Sequence, residues 1–575
     1  DAVSVLCLEY PVHQNHSVLF YHEASEEMYV GGTDFVFKFD VDNNRIIEDP
    51  CENVITVIEK FQDSLFVCGT NGHRPQCWKL FSSVNNRSHD IIPSLEGTGI
   101  SPVLYTQNSL TLTVEGDLYS AAPLHTDGSS LQFRRKAGSR HNVWMYDKWV
   151  SEPTFISASW VKQSRNPDDE KIYIFFREKN SDHNPEADPW ISRVARVCKV
   201  DEGGSKRFFP NMWATFLKAR LVCGFPEESL YFNRLQDIYV MGAEDWHDTR
   251  VYALFTSSWN STAVCIYSIV QIEEIFENST YKGYNKNTPK PRPGACVKNS
   301  KSLPLETINV VKDYPEMTDW VHSVDYKAPF YISSNNYTKI AVDRVQAADQ
   351  HMYNILLLST DSGKIHKVLE AESEPFIISE TQLSSQSTIQ SMKLDSKKKK
   401  LVVGFSEKIS IVDLQRCKEY NKSCEECVLA RDPYCSWTES GCTPTVPGGI
   451  QNVKNGEISV CHTVNRKKRE TVLPAPVDAR TVYSVPRGVP FYLSCPINSY
   501  HAVYTWKHGD QESPCLQMQS NCLHLIPAMA QEDYGNYECV SEEKSYSKEV
   551  KKYQLAEQKI PDPEHNRKNT IYTMN

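Results

Sequence analysis

Cysteine offers this chain more chemistry than any other residue type, and it occurs 18 times in 575 residues. Disulfide formation, metal binding and thiol redox catalysis compete for it. Cys424-Glu-Glu-Cys427 has the spacing of half a zinc site or of a redox dithiol, but no second such pair and no His pair completes a tetrahedral set. Cys417, Cys424, Cys427, Cys435, Cys442 and Cys461 instead fall within 45 positions, where a small core needs covalent staples. Structural disulfides made in an oxidising compartment are the reading. Six Asn-x-Ser/Thr sequons, at Asn15, Asn86, Asn260, Asn278, Asn336 and Asn421, agree with secretion.

Nothing else in the sequence assembles a catalytic set. The one approach to a sialidase box, Ser359-Thr-Asp-Ser-Gly363, continues Lys-Ile-His and reads as a turn. There is no nucleophile elbow, no His-Glu-x-x-His and no phosphate loop, and Gly97-Thr-Gly99 lacks the third glycine. The chain is therefore expected to be no enzyme and to need no cofactor. Its formal charge of −10, from 62 basic and 72 acidic residues, gives no electrostatic reason for a nucleic-acid partner. The longest aliphatic runs, such as Ile355 to Leu358, are strand-sized, so no membrane insertion by the chain as given is expected. It starts at Asp1, and the expectation is that a signal peptide has been removed.

The elements that must carry these residues are mostly strands. Up to about residue 415 a phrase recurs: a short alternating strand, a turn containing Gly, Thr, Asp or Asn, and a second strand. Met28 to Phe39, Ser64 to Asn71, Leu112 to Tyr119, Ile355 to Ile365 and Leu401 to Ile409 are examples. A β-propeller explains the recurrence, because each blade buries its faces only by stacking on its neighbours; a pair of β-sandwiches is the competing architecture. Ile269 to Ile275 has apolar residues at three- and four-residue spacing and reads as a helical turn, an excursion from a blade. Lys282 to Pro304 reads as a long surface connection.

After residue 415 comes the cysteine-rich module, then a linker containing Arg466, Lys467, Lys468 and Arg469 ahead of Leu473-Pro-Ala-Pro476. The tetrabasic run is either a processing-protease site or a solvated linker. Beyond it, Cys495 is followed eleven positions later by Trp506, and Asp533-Tyr-Gly-Asn-Tyr537-Glu-Cys539 closes the pattern of an immunoglobulin sandwich. Cys515 and Cys522 read as an extra local bridge. The division expected is 1–415 propeller, 416–462 cystine-rich module, 463–478 basic and Pro-containing linker, 479–555 immunoglobulin-like domain and 556–575 polar tail, an all-β chain throughout.

These phrases, in order, resemble the semaphorin family. The resemblance rests on Asp168 to Glu178, Ser192 to Lys199, Trp213 to Cys223, Phe232 to Asp237, Arg292 to Cys296, and Cys424 to Cys435, which looks like the plexin-semaphorin-integrin (PSI) module. The wording is most similar to vertebrate class 7 semaphorins and their herpesvirus-encoded homologues. The resemblance implies a seven-bladed sema propeller, a homodimer, and an extracellular ligand, secreted or lipid-anchored, that binds a plexin receptor of the C class by the propeller edge. Clustering of that receptor would alter adhesion, migration or immune-cell activation; a soluble decoy that occupies plexin without clustering it is the alternative.

By the same resemblance Cys68 pairs with Cys77, Cys198 with Cys296, Cys223 with Cys265, Cys495 with Cys539, Cys417 with Cys435, Cys424 with Cys461 and Cys427 with Cys442. Cys7 and Cys51 remain, either bridged to each other or with one free. The class 7 protein carries an Arg-Gly-Asp integrin tripeptide where this chain has Lys199-Val200-Asp201 after Cys198. Lys removes the bidentate fork and Val a backbone freedom, which makes integrin binding through that tripeptide doubtful. For the receptor contact, the loop from Lys179 to Trp190 has the right character: Lys179, Asp182, His183, Asn184, Glu186, Asp188 and Trp190 combine charge with an aromatic anchor. An ordinary solvated loop with a packed Trp is the competing reading. Lys397 to Lys400 reads as a solvated hairpin tip.

Overall fold

In the computed structural model the chain is described from residue 5 to residue 558, apart from 10–15, 23–26, 34, 40–44, 49–52, 62–63, 82–89, 163–165, 182–187, 259–260, 325–328, 373, 385–386, 421, 462–480 and 519–520. It divides into two compact units, one ending at residue 416 and one running from residue 417 that also takes the short segments 346–351 and 377–379.

Among the described residues the alternating runs of the first unit fold into seven antiparallel blade sheets, with a separate two-stranded hairpin at Gly224–Phe225 and Leu230–Tyr231. In chain order the first six blades start at His16–His22, Ile55–Phe61, Leu110–Val114, Thr154–Val161, Arg234–Met241 and Tyr337–Gln346; the third has three strands and the others four. The seventh takes Ser391–Asp395, Lys400–Gly404 and Lys408–Asp413, and is completed by Val5–Glu9 from the start of the chain. That pairing, Val5 opposite Val412 through Glu9 opposite Lys408, removes the open edges that a linear stack of sheets would leave.

Blade faces are buried by neighbouring blades. Val36 of the first blade packs with Ile55, Ile58, Val67 and Leu80 of the second, and Val57, Phe66 and Cys68 of the second pack with Leu118 of the third. Strands covered on both sides are apolar without alternation, so Ile355 to Leu358 are all fully buried. Between Thr262–Ser268 and Tyr331–Ser333 the fifth blade sends out an excursion that holds helix α1 (Ile269–Asn278) and helix α2 (Leu305–Asp313). The apolar spacing anticipates α1, which buries Ile269, Ile272 and Phe276; α2 buries Ile308, Val310 and Val311 and follows Pro304, which cannot continue the preceding chain as a helix.

In the second unit, helix α3 (Cys424–Leu429) is capped by Ser423, whose side chain accepts from Glu426 N, and packs by a two-stranded hairpin, Cys435–Thr438 with Gly441–Pro444. The immunoglobulin-like part has a five-stranded sheet containing Val503–His508, Gly535–Glu543 and Tyr546–Glu557, and a three-stranded sheet of Phe491–Pro496, Asn521–Ile526 and Leu516–Met518. Trp506 is buried among Cys495, Cys539 and Tyr553, and Tyr537 donates through its hydroxyl to Asp533 O at 3.0 Å, the tyrosine corner that the spacing anticipates.

Candidate functional site

The loop from Lys179 to Trp190 is the hairpin between the two central strands of the fourth blade, Lys171–Lys179 and Trp190–Cys198, in which Lys179 faces Trp190. Of the residues read as receptor contacts, Lys179, Asp188 and Trp190 are described; Asp182, His183, Asn184 and Glu186 lie outside the described residues. The neck is closed by Asn180 N donating to Pro189 O at 2.8 Å, Asn180 Nδ2 to Asp188 O at 3.1 Å and Trp190 N to Asp188 Oδ1 at 3.0 Å. Lys179 Nζ lies 2.9 Å from Glu152 Oε1, both side chains more than half exposed, so the pair contributes about 1 kcal/mol at most. Asp188 therefore shapes the loop, and Lys179 offers a solvated charge.

One residue below the neck the chemistry changes. Glu178 is buried, and its Oε1 accepts from Arg193 Nε at 2.8 Å and from Lys218 Nζ at 2.7 Å, while Oε2 accepts from Ser151 N at 3.0 Å. Arg193 also donates to Glu316 at 2.9 Å, and Lys218 to Trp149 O at 2.7 Å. Burial pushes the Glu316 carboxyl up, but Arg193 beside it outweighs that and holds it below the usual carboxylate range. Burial pushes the Lys218 ammonium down, against the pull of Glu178. Buried charges so fully partnered fix one strand register and carry the hairpin on a rigid base.

The same blade edge collects residues distant in sequence. Arg193 directly opposes Arg220, and two like charges are accommodated there because each has its own partners. Arg220 lies over the Trp320 ring at 4.3 Å and near the Tyr231 ring at 5.8 Å, and the two rings meet edge-on at 6.4 Å. Backbone pairing brings Trp320 to this place: Val321 N donates to Arg220 O at 2.8 Å and Val222 N to Val321 O at 2.9 Å, which lays the end of the excursion along the blade as an added edge. Tyr231 arrives by a short hairpin, Gly224–Phe225 with Leu230–Tyr231, turned at Ser229 with φ 53°. Trp320 and Leu230 are 37% and 38% exposed, large for apolar side chains held this firmly. Since Trp190 lies only three residues before Arg193, the hairpin and this cluster occupy the same end of the fourth blade. An arginine stacked between two part-exposed aromatics is the composition of a protein-interface anchor. Sequence reasoning missed it because Tyr231 meets Arg220 through a short irregular hairpin and Trp320 meets it only through the excursion.

The excursion is itself pinned by charge and by a cystine. Arg196 donates to Glu273 at 2.8 Å and to Glu277 at 2.7 Å from one side of α1, and Lys171 lies 2.8 Å from Glu273. Burial acts to raise the Glu273 carboxyl, yet Arg196 and Lys171 dominate and hold it at about 2. Arg196 also donates to Gly294 O at 3.0 Å, beside the Cys198–Cys296 disulfide. Gly294 has φ +86°, and a Cβ there would fall 2.2 Å from Leu217 Cδ1, so the turn has room only for glycine.

At the place of the integrin tripeptide the side chains point inward. Lys199 is buried between Glu170 and Glu115, and Asp201 is fully buried, accepting from Gly203 N and from the Thr215 backbone and hydroxyl. Neither is presented to a partner. Lys397 to Lys400 lie at the turn joining Ser391–Asp395 to Lys400–Gly404, with Lys399 paired to Asp343.

The described cystines are Cys68–Cys77, Cys198–Cys296, Cys223–Cys265, Cys417–Cys435, Cys424–Cys461, Cys427–Cys442, Cys495–Cys539 and Cys515–Cys522. The Cys51 expectation and the Cys7 side chain lie outside the described residues, as does the run Arg466 to Lys468 and Arg469. Asn278, at the end of α1, and Asn336 are exposed; Asn15, Asn86, Asn260 and Asn421 lie outside the described residues. Among the described residues, the one group of Cys, His and carboxylate atoms close enough to chelate is Cys495, Cys522 and Cys539, all of which are in disulfides. No helix among the described residues is long and apolar enough to cross a membrane.

Family models match three successive regions: a Sema domain at residues 235–396, a Plexin repeat at 416–461, and a Semaphorin-3/4/7A immunoglobulin-like domain at 479–569. The chain is 35% identical to Semaphorin-7A of Homo sapiens over 571 residues, 94% of this chain and 83% of the relative. It is 31% identical to Semaphorin-4D of Homo sapiens over 96% of this chain and 70% of that one. Among solved structures, Drosophila Semaphorin 2a superposes with a TM-score of 0.75 at 23% identity, covering 96% of this chain and 98% of the other. A chain of Drosophila Plexin A in complex with Semaphorin 1b gives 0.67 at 24%, covering 80% and 98%; at such identity both are likenesses of fold.

Proposed function

The chain belongs to the semaphorin family, whose members are extracellular or membrane-anchored signalling ligands and not enzymes, and from that premise we propose that it binds and clusters a plexin of the C class. The observation that carries the reading is the part-exposed Arg220, Tyr231 and Trp320 cluster at the hairpin end of the fourth blade, held on a base of buried ion pairs. Rigid aromatic anchors lose little conformational freedom on binding and so favour a specific protein contact. Lys179 and Asp188 are proposed as polar contacts beside that cluster and Trp190 as a further aromatic one; the expectation at Asp182, His183, Asn184 and Glu186 is carried by their composition alone. The solved complex of a fly plexin with a semaphorin of the same fold supports a plexin as the partner class. The ligand is proposed to act as a homodimer, either secreted or lipid-anchored, because clustering needs two receptor sites per particle.

The test is titration of the purified chain with a C-class plexin ectodomain, with Trp320→Ala and Arg220→Ala as variants. Saturable binding that either variant weakens by tenfold or more supports the surface. Binding of undiminished strength by both variants moves the contact elsewhere, and absence of binding at micromolar concentration overturns the partner.

A further inference from the structure

The inter-sheet cystine of the immunoglobulin-like domain has a third sulfur beside it. Cys495, Cys522 and Cys539 are all fully buried, and their Sγ atoms lie within 4.8 Å of one another. Cys495 bonds Cys539, and so joins the three-stranded sheet to the five-stranded one. Cys522 bonds Cys515 within the region of the smaller sheet, and it also stands directly opposite Cys495 in the antiparallel register of Phe491–Pro496 and Asn521–Ile526. Directly opposed residues on antiparallel strands have Cα atoms about 4.5–5.5 Å apart, inside the range of about 4.4–6.8 Å that a disulfide requires. Cys515 differs from the other three in being only partly buried, where the chain passes from Gln511–Pro514 to Leu516–Met518.

We propose that these four cysteines form a thiol-triggered exchange relay that converts the inter-sheet cystine into a cross-strand one, Cys495–Cys522. A small-molecule monothiol, as its thiolate, attacks Cys515 Sγ, the accessible sulfur. The Cys515–Cys522 bond breaks, a mixed disulfide forms on Cys515, and Cys522 leaves as a thiolate. Cys522 then attacks Cys495 Sγ; the Cys495–Cys539 bond breaks, Cys495–Cys522 forms, and Cys539 departs as a thiolate that takes a proton from water. A second thiol displaces Cys515 from the mixed disulfide. Two thiols have become one small-molecule disulfide, and one protein cystine has become the thiols of Cys515 and Cys539.

The consequence follows from the topology. Before exchange a covalent bond ties the two sheets together; afterwards both sulfurs of the surviving bond belong to one sheet, and the sandwich is held by packing around Trp506 and Tyr553 and by inter-sheet hydrogen bonds such as Tyr553 OH to Ser494 O at 2.6 Å. A reducing extracellular setting would thereby loosen this domain.

The full chain is treated with graded reduced glutathione, quenched with iodoacetamide and peptide-mapped. The expected result is a Cys495–Cys522 linked peptide with Cys515 and Cys539 alkylated in most molecules that have lost one cystine of this domain. Alkylation of Cys515 and Cys522 with Cys495–Cys539 intact overturns the relay, as does resistance of Cys515 to the thiol. A second arm uses Cys515→Ser, which frees Cys522 without a reductant. Cys495–Cys522 is expected in the secreted protein, and a Cys495–Cys539 bond with Cys522 wholly alkylated in every molecule contradicts it.

Discussion

The fourth blade holds its strands with carboxylates shared among buried cations, whereas residues 417–461 hold theirs with three cystines. The blade borrows apolar cover from its neighbours on both faces, as Tyr173, Phe175 and Val194 pack with Leu235, Val251 and Phe255 of the fifth blade. It can therefore bury charge where register and rigidity matter. The small module has no neighbour within a repeat to lean on, and removing chain entropy from its unfolded state substitutes for the missing apolar area. Interior charge thus fixes register in a blade that has apolar cover on both faces, where a cystine such as Cys198–Cys296 is an addition, whereas three cystines within 45 residues stand in for the core that the small module lacks.

The largest effect that sharpens this contrast is expected from Glu178→Ala, which strips Lys218 of its carboxylate and Arg193 of one of its two. Breaking a buried network of this kind costs about 3–5 kcal/mol, read as a drop in the denaturant midpoint of the chain. Acid should find the same region. Because the Glu273 carboxyl is held at about 2 in the folded chain, below its ordinary value, its stabilisation is complete above about pH 4.5 and is lost as pH falls towards 2. The size is on the order of 3 kcal/mol, and Glu273→Gln should flatten that part of a stability-against-pH curve. Cystines do not titrate, so a probe confined to residues 417–461 should not report that loss.

Replacing Cys427 and Cys442 together by Ser opens a link of sequence separation 15 and should cost about 3 kcal/mol, with a lower melting temperature and reduced secretion. Equal stability of the variant and the parent would undo the contrast from its other side. Trp320→Ala leaves the fold intact and should weaken receptor binding by about 2 kcal/mol, roughly 30-fold. Lys179→Ala, one residue from Glu178, should change stability by less than about 0.5 kcal/mol, since its ion pair with Glu152 is solvated.

What was legible in the sequence follows from how far each pattern reaches along the chain. A propeller of repeated sheets shows in local strand and turn phrases, though its count of seven came only from the family resemblance, and the immunoglobulin sandwich shows in Cys495, Trp506, Tyr537 and Cys539, because such spacings are set within one domain. Helix α1 shows in the periodicity of Ile269, Ile272 and Phe276. Helix α2 does not, since nine residues rich in Thr, Ile and Val after a proline carry as much strand as helix preference. The Arg220, Tyr231 and Trp320 cluster and the Glu178 network join residues up to a hundred or more positions apart, from Glu178 to Glu316. No local period encodes such meetings, because they exist only where the strands of the blade and the end of the excursion are laid side by side. The loop after Lys179 drew notice by composition, while the anchor beside it is built by topology.

The central claim is best tested by measuring the affinity and the mass of the complex between this chain and a C-class plexin ectodomain in one experiment, with Trp320→Ala in parallel. Saturable binding as a two-to-two particle is expected, with affinity reduced roughly 30-fold in the variant. A one-to-one complex would contradict clustering and favour a decoy, and no binding at micromolar concentration would contradict the proposed receptor itself.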